Sequence, residues 1–268
     1  MRYLPDGTQM KAADAYTIQE LGIPSLVLME RAALSSVDEM EKRGFDLSRA
    51  LIVCGSGNNG GDGFAIARLL REKGMWPEIL FAGSESSLSG ECALQKQVAE
   101  RLGIPVFTEF PEREYTSIID AVFGVGLSRE IEGRYRDVIG WMNEQPGRKA
   151  AIDIPSGVCA RTGKVLGMAF RAELTVCMAC VKLGCELYPG KNFAGETVPV
   201  SIGISPDYFE SDSRVCVTYD REDLSALLPV RWPDSHKGTY GKVLMITGCG
   251  GMAGASCLSA WAAYAVGA

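Results

Sequence analysis

Residues 54–64 read "CGSGNNGGDGF". They join an apolar run, "RALIVCG", to "GFAIARLLREKG", whose apolar residues recur at helical spacing. A short apolar strand, a glycine-rich turn and a helix make the repeating unit of a parallel sheet, because a parallel return needs a crossover long enough to cover the sheet. The glycines suit a tight turn. They do not account for Asn58, Asn59 and Asp62, two amides and a carboxylate in the same turn.

The alternation continues outward from this stretch. "TQMKAADAYTIQELG" predicts a helix opening on Thr8 as N-cap, and "SLVLMERAALSSVDEMEKRG" predicts a second that stops at Gly44. After the glycine turn, "PEILFAG" reads as a strand and "SGECALQKQVAERLG" as a helix. "TSIIDAVFGVG" is a strand ending in a glycine loop, "RYRDVIGWMNEQ" a helix, and "KAAIDIPSG" a strand ending in a Pro-Ser-Gly turn. "AELTVCMACV" and "GETVPVSIGI" are further strands. Strands apolar on both faces, alternating with helices, predict an α/β domain of three αβα layers, Rossmann-like, with a mostly parallel sheet.

Composition narrows the function. The chain has 268 residues, is 47% apolar, and carries a formal net charge of -6 with a pI near 5.1. That balance argues against general binding to nucleic acid or to a membrane surface. "MRYLPDGTQM" holds no apolar run, so no signal peptide is expected, and no stretch is long enough to span a bilayer. The nine cysteines are an odd number scattered through apolar segments, which suits reduced thiols and a cytoplasmic setting. Cys177 and Cys180 form a C-x-x-C, but in a strand they point to opposite faces and no second pair follows.

Parallel sheets bind ligands beyond the carboxyl ends of their strands. Three polar clusters fall there: "GSGNNGGDG", "DAVFGVGLSRE" and "DIPSG". Gly55, Gly57 and Gly60 fit G-x-G-x-x-G, which would let a backbone approach a pyrophosphate at a helix N-terminus. An NAD(P)-dependent oxidoreductase would also need an acid at the ribose spacing; Glu85 comes later and in a loop. A plain tight turn, with Asp62 near the helix N-terminus, is the structural alternative. Asp120 ends its strand just before "AVFGVG", where the plain reading is a carboxylate in a surface turn. Asp153, between Ile152 and Ile154, is either a general acid/base or a cap for the backbone amides of its turn.

Taken together, "CGSGNNGGDGFAIARLL", "DAVFGVGLSREIEG" and "AIDIPSGV…TG" resemble the NAD(P)H-hydrate epimerase family, the N-terminal half of the bacterial bifunctional NAD(P)H-hydrate repair enzymes. "LGIPSLVLMERAA" and "KLGCELYPGKNFAGE" fit the same pattern, and the resemblance covers about residues 5–210. Ser56 departs from it where proline is frequent, as do Cys159 and Arg161 where acidic residues are usual. The resemblance implies an enzyme that interconverts the S and R forms of hydrated NADH or NADPH (NAD(P)HX) at nicotinamide C6. It implies a bound K+ held by Asn59, Asp120 and Ser156. It implies substrate contacts from Asn58, Asn59, Gly60, Gly61 and Asp62, from the loop Gly124, Val125, Gly126, Leu127, Ser128, Arg129 and Glu130, and from Asp153. The reaction needs a proton donor and acceptor. His236, the one histidine, lies outside this region, so Asp153 is the expected catalytic group. Relatives are often dimers, and the apolar N-terminal helices could bury a partner. A non-catalytic scaffold is the competing expectation; three carboxylates kept in the three clusters weigh against it.

The chain is expected to change character after residue 213. "SHKGTYGKVLMITG" resembles the start of the ADP- or ATP-dependent NAD(P)H-hydrate dehydratase, a ribokinase-like domain. Residues 214–268 therefore read as a linker and the first βα unit of an incomplete second domain, a buried strand, a glycine loop and an alanine-rich helix, with Gly254 and Ala255 in its substrate loop. Dehydration is expected only of a longer chain.

Overall fold

Ala50–Cys54, the run ahead of the glycine cluster, is buried at every residue and pairs in parallel along both edges. In the computed structural model, which describes residues 1–228, 230–236 and 238–266, it belongs to a seven-stranded sheet. The elements in chain order are β1 (Arg2–Leu4), α1 (Gly7–Gln19), α2 (Ser25–Lys42), β2 (Ala50–Cys54), α3 (Asn58–Glu72), β3 (Glu78–Phe81), α4 (Gly90–Arg101) and β4 (Val106–Phe107). There follow β5 (Ser117–Ala121), α5 (Gly133–Glu144), β6 (Arg148–Ile152), β7 (Leu174–Met178), β8 (Glu196–Val200) and β9 (Cys216–Thr218). The large sheet runs β4-β3-β2-β5-β6-β7-β8 with every pairing parallel. β1 and β9 form a separate antiparallel pair.

Strand alternation divides the core. Ile52, Ile119, Ile152 and Val176 join one cluster with Met10 of α1, Ala33 of α2, Phe64 of α3 and Ala99 of α4. Leu51, Val53, Ile118 and Ala151 turn the other way and pack with Val138, Ile139 and Met142 of α5. Helices therefore cover both faces, as the unbroken apolar strands require. Among the described residues no helix is long and apolar enough to cross a membrane.

Two helix starts differ from the sequence reading. α1 is capped by Asp6, not Thr8: Asp6 Oδ1 accepts from the Thr8 and Gln9 amides, each at 2.9 Å, and Gln9 Oε1 accepts from the Asp6 amide. These bonds satisfy three amides at the helix start, which a lone Thr8 cap would not. α3 begins at Asn58, so Asn58 to Asp62 form its opening turns instead of a loop. The glycines are tolerated because the helix runs against backbone: a Cβ on Gly60 would lie 2.0 Å from the Gly55 carbonyl oxygen. Close packing outweighs helix propensity here.

The chain divides into two units, the first spanning Met1–Thr218 and the second beginning at Tyr219. The second holds a helix at Gly254–Val266. The buried strand expected in "GKVLMITG" is not formed: the segment has no regular structure, and Leu244 and Ile246 are 85% and 90% exposed. An apolar run becomes a buried strand only when neighbouring strands take up its amides and carbonyls, and among the described residues nothing pairs with this one. Residues 267 and 268 of that segment lie outside the described residues.

Candidate functional site

The sheet order reverses between β2 and β5. The chain leaves β2 toward β3 on one side and returns to β5 on the other. A crevice at the carboxyl ends of those strands is where such sheets hold ligands. The structure has a cleft of about 630 Å³ there, a size suited to a small molecule. One wall is apolar, from Met10 and Ile18 of α1 and Leu28 and Met29 of α2. The floor comes from the three polar clusters.

Asp120, the fourth residue of β5, is wholly buried. Its Oδ2 accepts from the Ser156 amide at 2.7 Å, and its Oδ1 from the Ser156 hydroxyl at 2.7 Å and the Val122 amide at 3.1 Å. The Ser156 hydroxyl also accepts from the Phe123 amide at 2.9 Å. The ends of β5 and β6 are thus tied by one carboxylate and one hydroxyl. Burial pushes the Asp120 carboxyl up to about 6, while hydrogen bonds from Ser156 and Val122 pull it down; no side-chain cation is among these partners. Asn59, in the first turn of α3, lies across from Gly124, and its Nδ2 is buried with no partner among the described residues. Turning that amide over would offer a buried oxygen instead. Asp120 and Ser156 are hydrogen-bonded to each other and Asn59 lies across from Gly124; each of the three side chains carries an oxygen of the kind a hard cation takes.

Asp153 follows β6 with φ of 71°, a left-handed conformation that side chains other than glycine seldom adopt. Its amide donates to the Val176 carbonyl at 2.7 Å, and its Oδ1 accepts from the Met178 amide at 3.1 Å. The same Oδ1 pairs with the ammonium of Lys182, a fully buried lysine that also donates to the Met178 carbonyl at 2.8 Å. Burial would pull the Lys182 pKa down, but the Asp153 carboxylate beside it leaves it raised. Asp62 of α3 and Asp14 of α1 face the same cleft. Burial pushes the Asp62 carboxyl well above its usual range, and the charges of Asp153 and Asp14 add to the rise. Burial and then Asp153 raise the Asp14 carboxyl to about 6, with Lys182 pulling down.

Most of the expected residues meet here. Asn58, Asn59, Asp62, Asp153 and the loop from Gly124 to Arg129 line the cleft. Gly60 and Gly61 sit behind it, Gly60 against the Gly55 carbonyl, where a Cβ would collide with backbone, and Gly61 against the end of the Met29 side chain. Glu130 is exposed and is not part of the lining. Gly254 and Ala255 open the helix of the second unit and are both exposed. Ser56, at the position where proline was expected, ties the β3–α4 connection: its hydroxyl accepts from the Ser84 amide and the Ser87 hydroxyl, both at 3.0 Å.

Three functional candidates escaped the sequence reading: Lys11, Asp14 and Lys182. Asp14 carries a signal, since Met10, Asp14 and Ile18 share one helical face and all reach the cleft. A carboxylate on an apolar face needs a reason. Lys182 interrupts the apolar run "CMACVKLGC", but its partner lies 29 residues earlier. Lys11 shows no such anomaly.

The family model described as "YjeF-related protein N-terminus" matches residues 25–184. A protein from Oenococcus oeni named NAD(P)H-hydrate epimerase is 42% identical over 193 residues, 71% of this chain and 92% of its own length. The chain belongs to the YjeF-related N-terminal family. A protein of the same name from Limosilactobacillus reuteri strain DSM 20016 is 43% identical, with 71% of this chain and 91% of its own length covered. The Bifunctional NAD(P)H-hydrate repair enzyme Nnr of Coxiella burnetii is 34% identical over 252 residues, 93% of this chain but 51% of its own length. The crystal structure of yeast ynu0 shares the fold, with a TM-score of 0.64 at 18% identity over 82% of this chain and 97% of its own. The YjeF-related match includes Asp62, Asp120, Asp153, Ser156 and Lys182. Asp14 precedes it.

Proposed function

We propose that this chain is an NAD(P)H-hydrate epimerase. The observation that carries the reading is the convergence of Asp14, Asp62 and Asp153 in one cleft at the switch point of the sheet. The names of relatives at 42–43% identity support it.

The substrate, hydrated NADH or NADPH, is anionic at its phosphates and reacts at its nicotinamide end. The opening turn of α3 has no side-chain cap, so its free amides suit a phosphate. Lys11 and Arg129, in the cleft lining, add positive charge for the same groups. The reacting ring then belongs near the three carboxylates. Asp62, whose carboxyl is pushed up by desolvation and by the charges of Asp153 and Asp14, delivers its proton to the C6 hydroxyl. The C6–O bond breaks as the ring nitrogen's lone pair forms the carbon–nitrogen double bond, and water departs. Water adds to C6 from the opposite face and yields a proton to Asp153, while the electrons of the double bond return to nitrogen. One proton has moved from Asp62 to Asp153, and exchange with cleft water restores both groups. Apolar walls from α1 and α2 exclude bulk water, which strengthens these interactions.

The oxygen donor set at Asn59, Asp120 and Ser156 suits K+, which has low charge and takes oxygen ligands. Asn59, Asp120 and Ser156 would hold the ion, and it would supply positive charge to balance the buried Asp120 carboxylate. The free state of all nine cysteines supports a cytoplasmic setting. Exposed Leu26, Val27 and Leu34 on α2 suit a homodimer. The long match to Nnr runs beyond the first unit and supports reading the rest as the start of a dehydratase domain that uses ADP or ATP.

The test is direct. The two epimers of hydrated NADPH are separated chromatographically, one is incubated with the protein, and the mixture is given to a dehydratase specific for the S form. Conversion of the R form supports the reading. An R form that stays intact, under conditions where intact NADPH is oxidised with some substrate, would make the protein an oxidoreductase.

A further inference from the structure

Asp153 is the best-placed proton acceptor, yet it stands beside two other carboxylates in the same cleft. Something must distinguish it from Asp14 and Asp62. The difference visible in the structure is a cation. Lys182 is 0% exposed and pairs with Asp153, and with neither Asp14 nor Asp62. A lysine is almost never fully buried unless it is paired. Here two of its three N–H donors are taken up, by Asp153 Oδ1 and by the Met178 carbonyl.

Both donors to Asp153, Lys182 Nζ and the Met178 amide, fall on Oδ1. The carboxylate still reaches the cleft, with its side chain 12% exposed. Oδ2 is the oxygen left for the substrate. The left-handed backbone at Asp153 gives this arrangement its geometry, because it swings the side chain off the strand direction and over toward β7.

We propose that Lys182 is a positioning residue for the epimerisation: its buried ammonium locks Asp153 Oδ1, presents Oδ2 to the water at C6, and makes Asp153, among three carboxylates, the one that accepts the proton. The inference rests on the epimerase reading and on Asp153 as acceptor. Lys182 does not itself touch the substrate, since the cleft lining does not include it.

The experiment is a double-mutant cycle on the full chain, read as kcat and KM for interconversion of hydrated NADPH epimers. Lys182→Met keeps the length of the side chain and removes the charge. We expect it to lower kcat by roughly ten- to a hundredfold, the range seen when a residue that orients an active group is lost, with KM changed less than about threefold because substrate contacts lie elsewhere. In an Asp153→Asn background the same change should alter kcat less than about twofold, since a residue that acts through Asp153 has nothing left to act on. If Lys182→Met cannot be obtained folded, the pair Asp153→Asn and Asp153→Asn/Lys182→Met still decides, because the double variant leaves no unpaired buried charge. A double variant much slower than Asp153→Asn overturns the inference, as does a folded Lys182→Met at wild-type rate. An Asp153→Asn protein at wild-type rate instead removes Asp153 as acceptor, which is a failure of the underlying reading.

Discussion

Asp120 and Asp153 stand at the carboxyl ends of adjacent strands, one within β5 and one just past β6, and both are buried. Their surroundings are opposite. Asp120 is satisfied by neutral donors, two from Ser156 and one from Val122. Asp153 is satisfied by a buried lysine and one amide. The same residue type at equivalent places therefore suits the two different uses proposed for it. Neutral hydrogen bonds leave the Asp120 charge uncompensated, which is what a cation site needs. An ammonium compensates Asp153 in advance and, with the Met178 amide, holds one of its oxygens, leaving the other toward the cleft. Environment, more than residue type, assigns the role of a buried carboxylate.

The sharpest way to break this comparison is Asp153→Asn. The amide keeps the shape but cannot accept a proton. Turnover should fall by roughly a hundredfold or more, the usual scale for a positioned proton-transfer group, with a much smaller change in KM. Near wild-type interconversion of the epimers would move the role to Asp62 or Asp14. Asp120→Asn should behave differently. We expect a loss of about tenfold or more, as for a removed metal contact, partly recovered as potassium is raised. Wild-type protein should also melt at a higher temperature in potassium than in the same concentration of a bulky organic cation, because a ligand that binds the folded state stabilises it. A melting temperature indifferent to potassium, in wild type and variant alike, would leave Asp120 as a structural tie between strand ends.

How much of this was legible from sequence follows from what each feature depends on. β2, β5 and β6 announce themselves because each is a short apolar run stopped by glycine or proline, and local composition is enough. The three clusters could be placed at strand ends for the same reason. The start of α3 was not legible: "NNGGDG" has poor helix propensity, and the close approach of Gly60 to the Gly55 carbonyl, which requires a glycine inside the helix, is visible only in the fold. β1 and β9 are three-residue strands far apart in the chain. Lys182 and Asp14 depend on tertiary placement, so one sequence could show them only as anomalies, a charge in an apolar run and a carboxylate on an apolar helical face.

Asp14 offers a gentler test of the acidic end of the cleft. Its carboxyl is raised from the usual 3.8 to about 6, through burial first and Asp153 second. A carboxyl raised in the folded state is ionised more easily in the unfolded chain. The contribution is neutral below the unfolded value and becomes destabilising as pH rises toward the folded one. Asp14→Asn should therefore match wild type in unfolding free energy near pH 4 and exceed it by pH 7, with the gap opening between the two values. Denaturant melts at four pH values would show it. A gap that is constant with pH would mean that Asp14 ionises as freely in the fold as outside it.

The smallest effect on catalysis should come from the segment beyond the first unit. Every residue of the Asp120 and Asp153 surroundings lies within Met1–Thr218, and β9, which pairs with β1, closes that unit at Thr218. Deleting the chain from Tyr219 onward keeps the β1–β9 pair, whereas a cut before Cys216 would remove it. The shortened protein should interconvert the epimers at the wild-type rate within about twofold, with an unchanged response to potassium. Its solubility should rise. Leu244, Ile246, Trp261 and Tyr264 are all more than 70% exposed, and a surface that apolar favours self-association. Sedimentation of both forms across a concentration series would measure the difference. A folded, soluble deletion protein that has lost epimerisation would show that the contrast between Asp120 and Asp153 is not self-contained, and that the second segment contributes to the first unit's site.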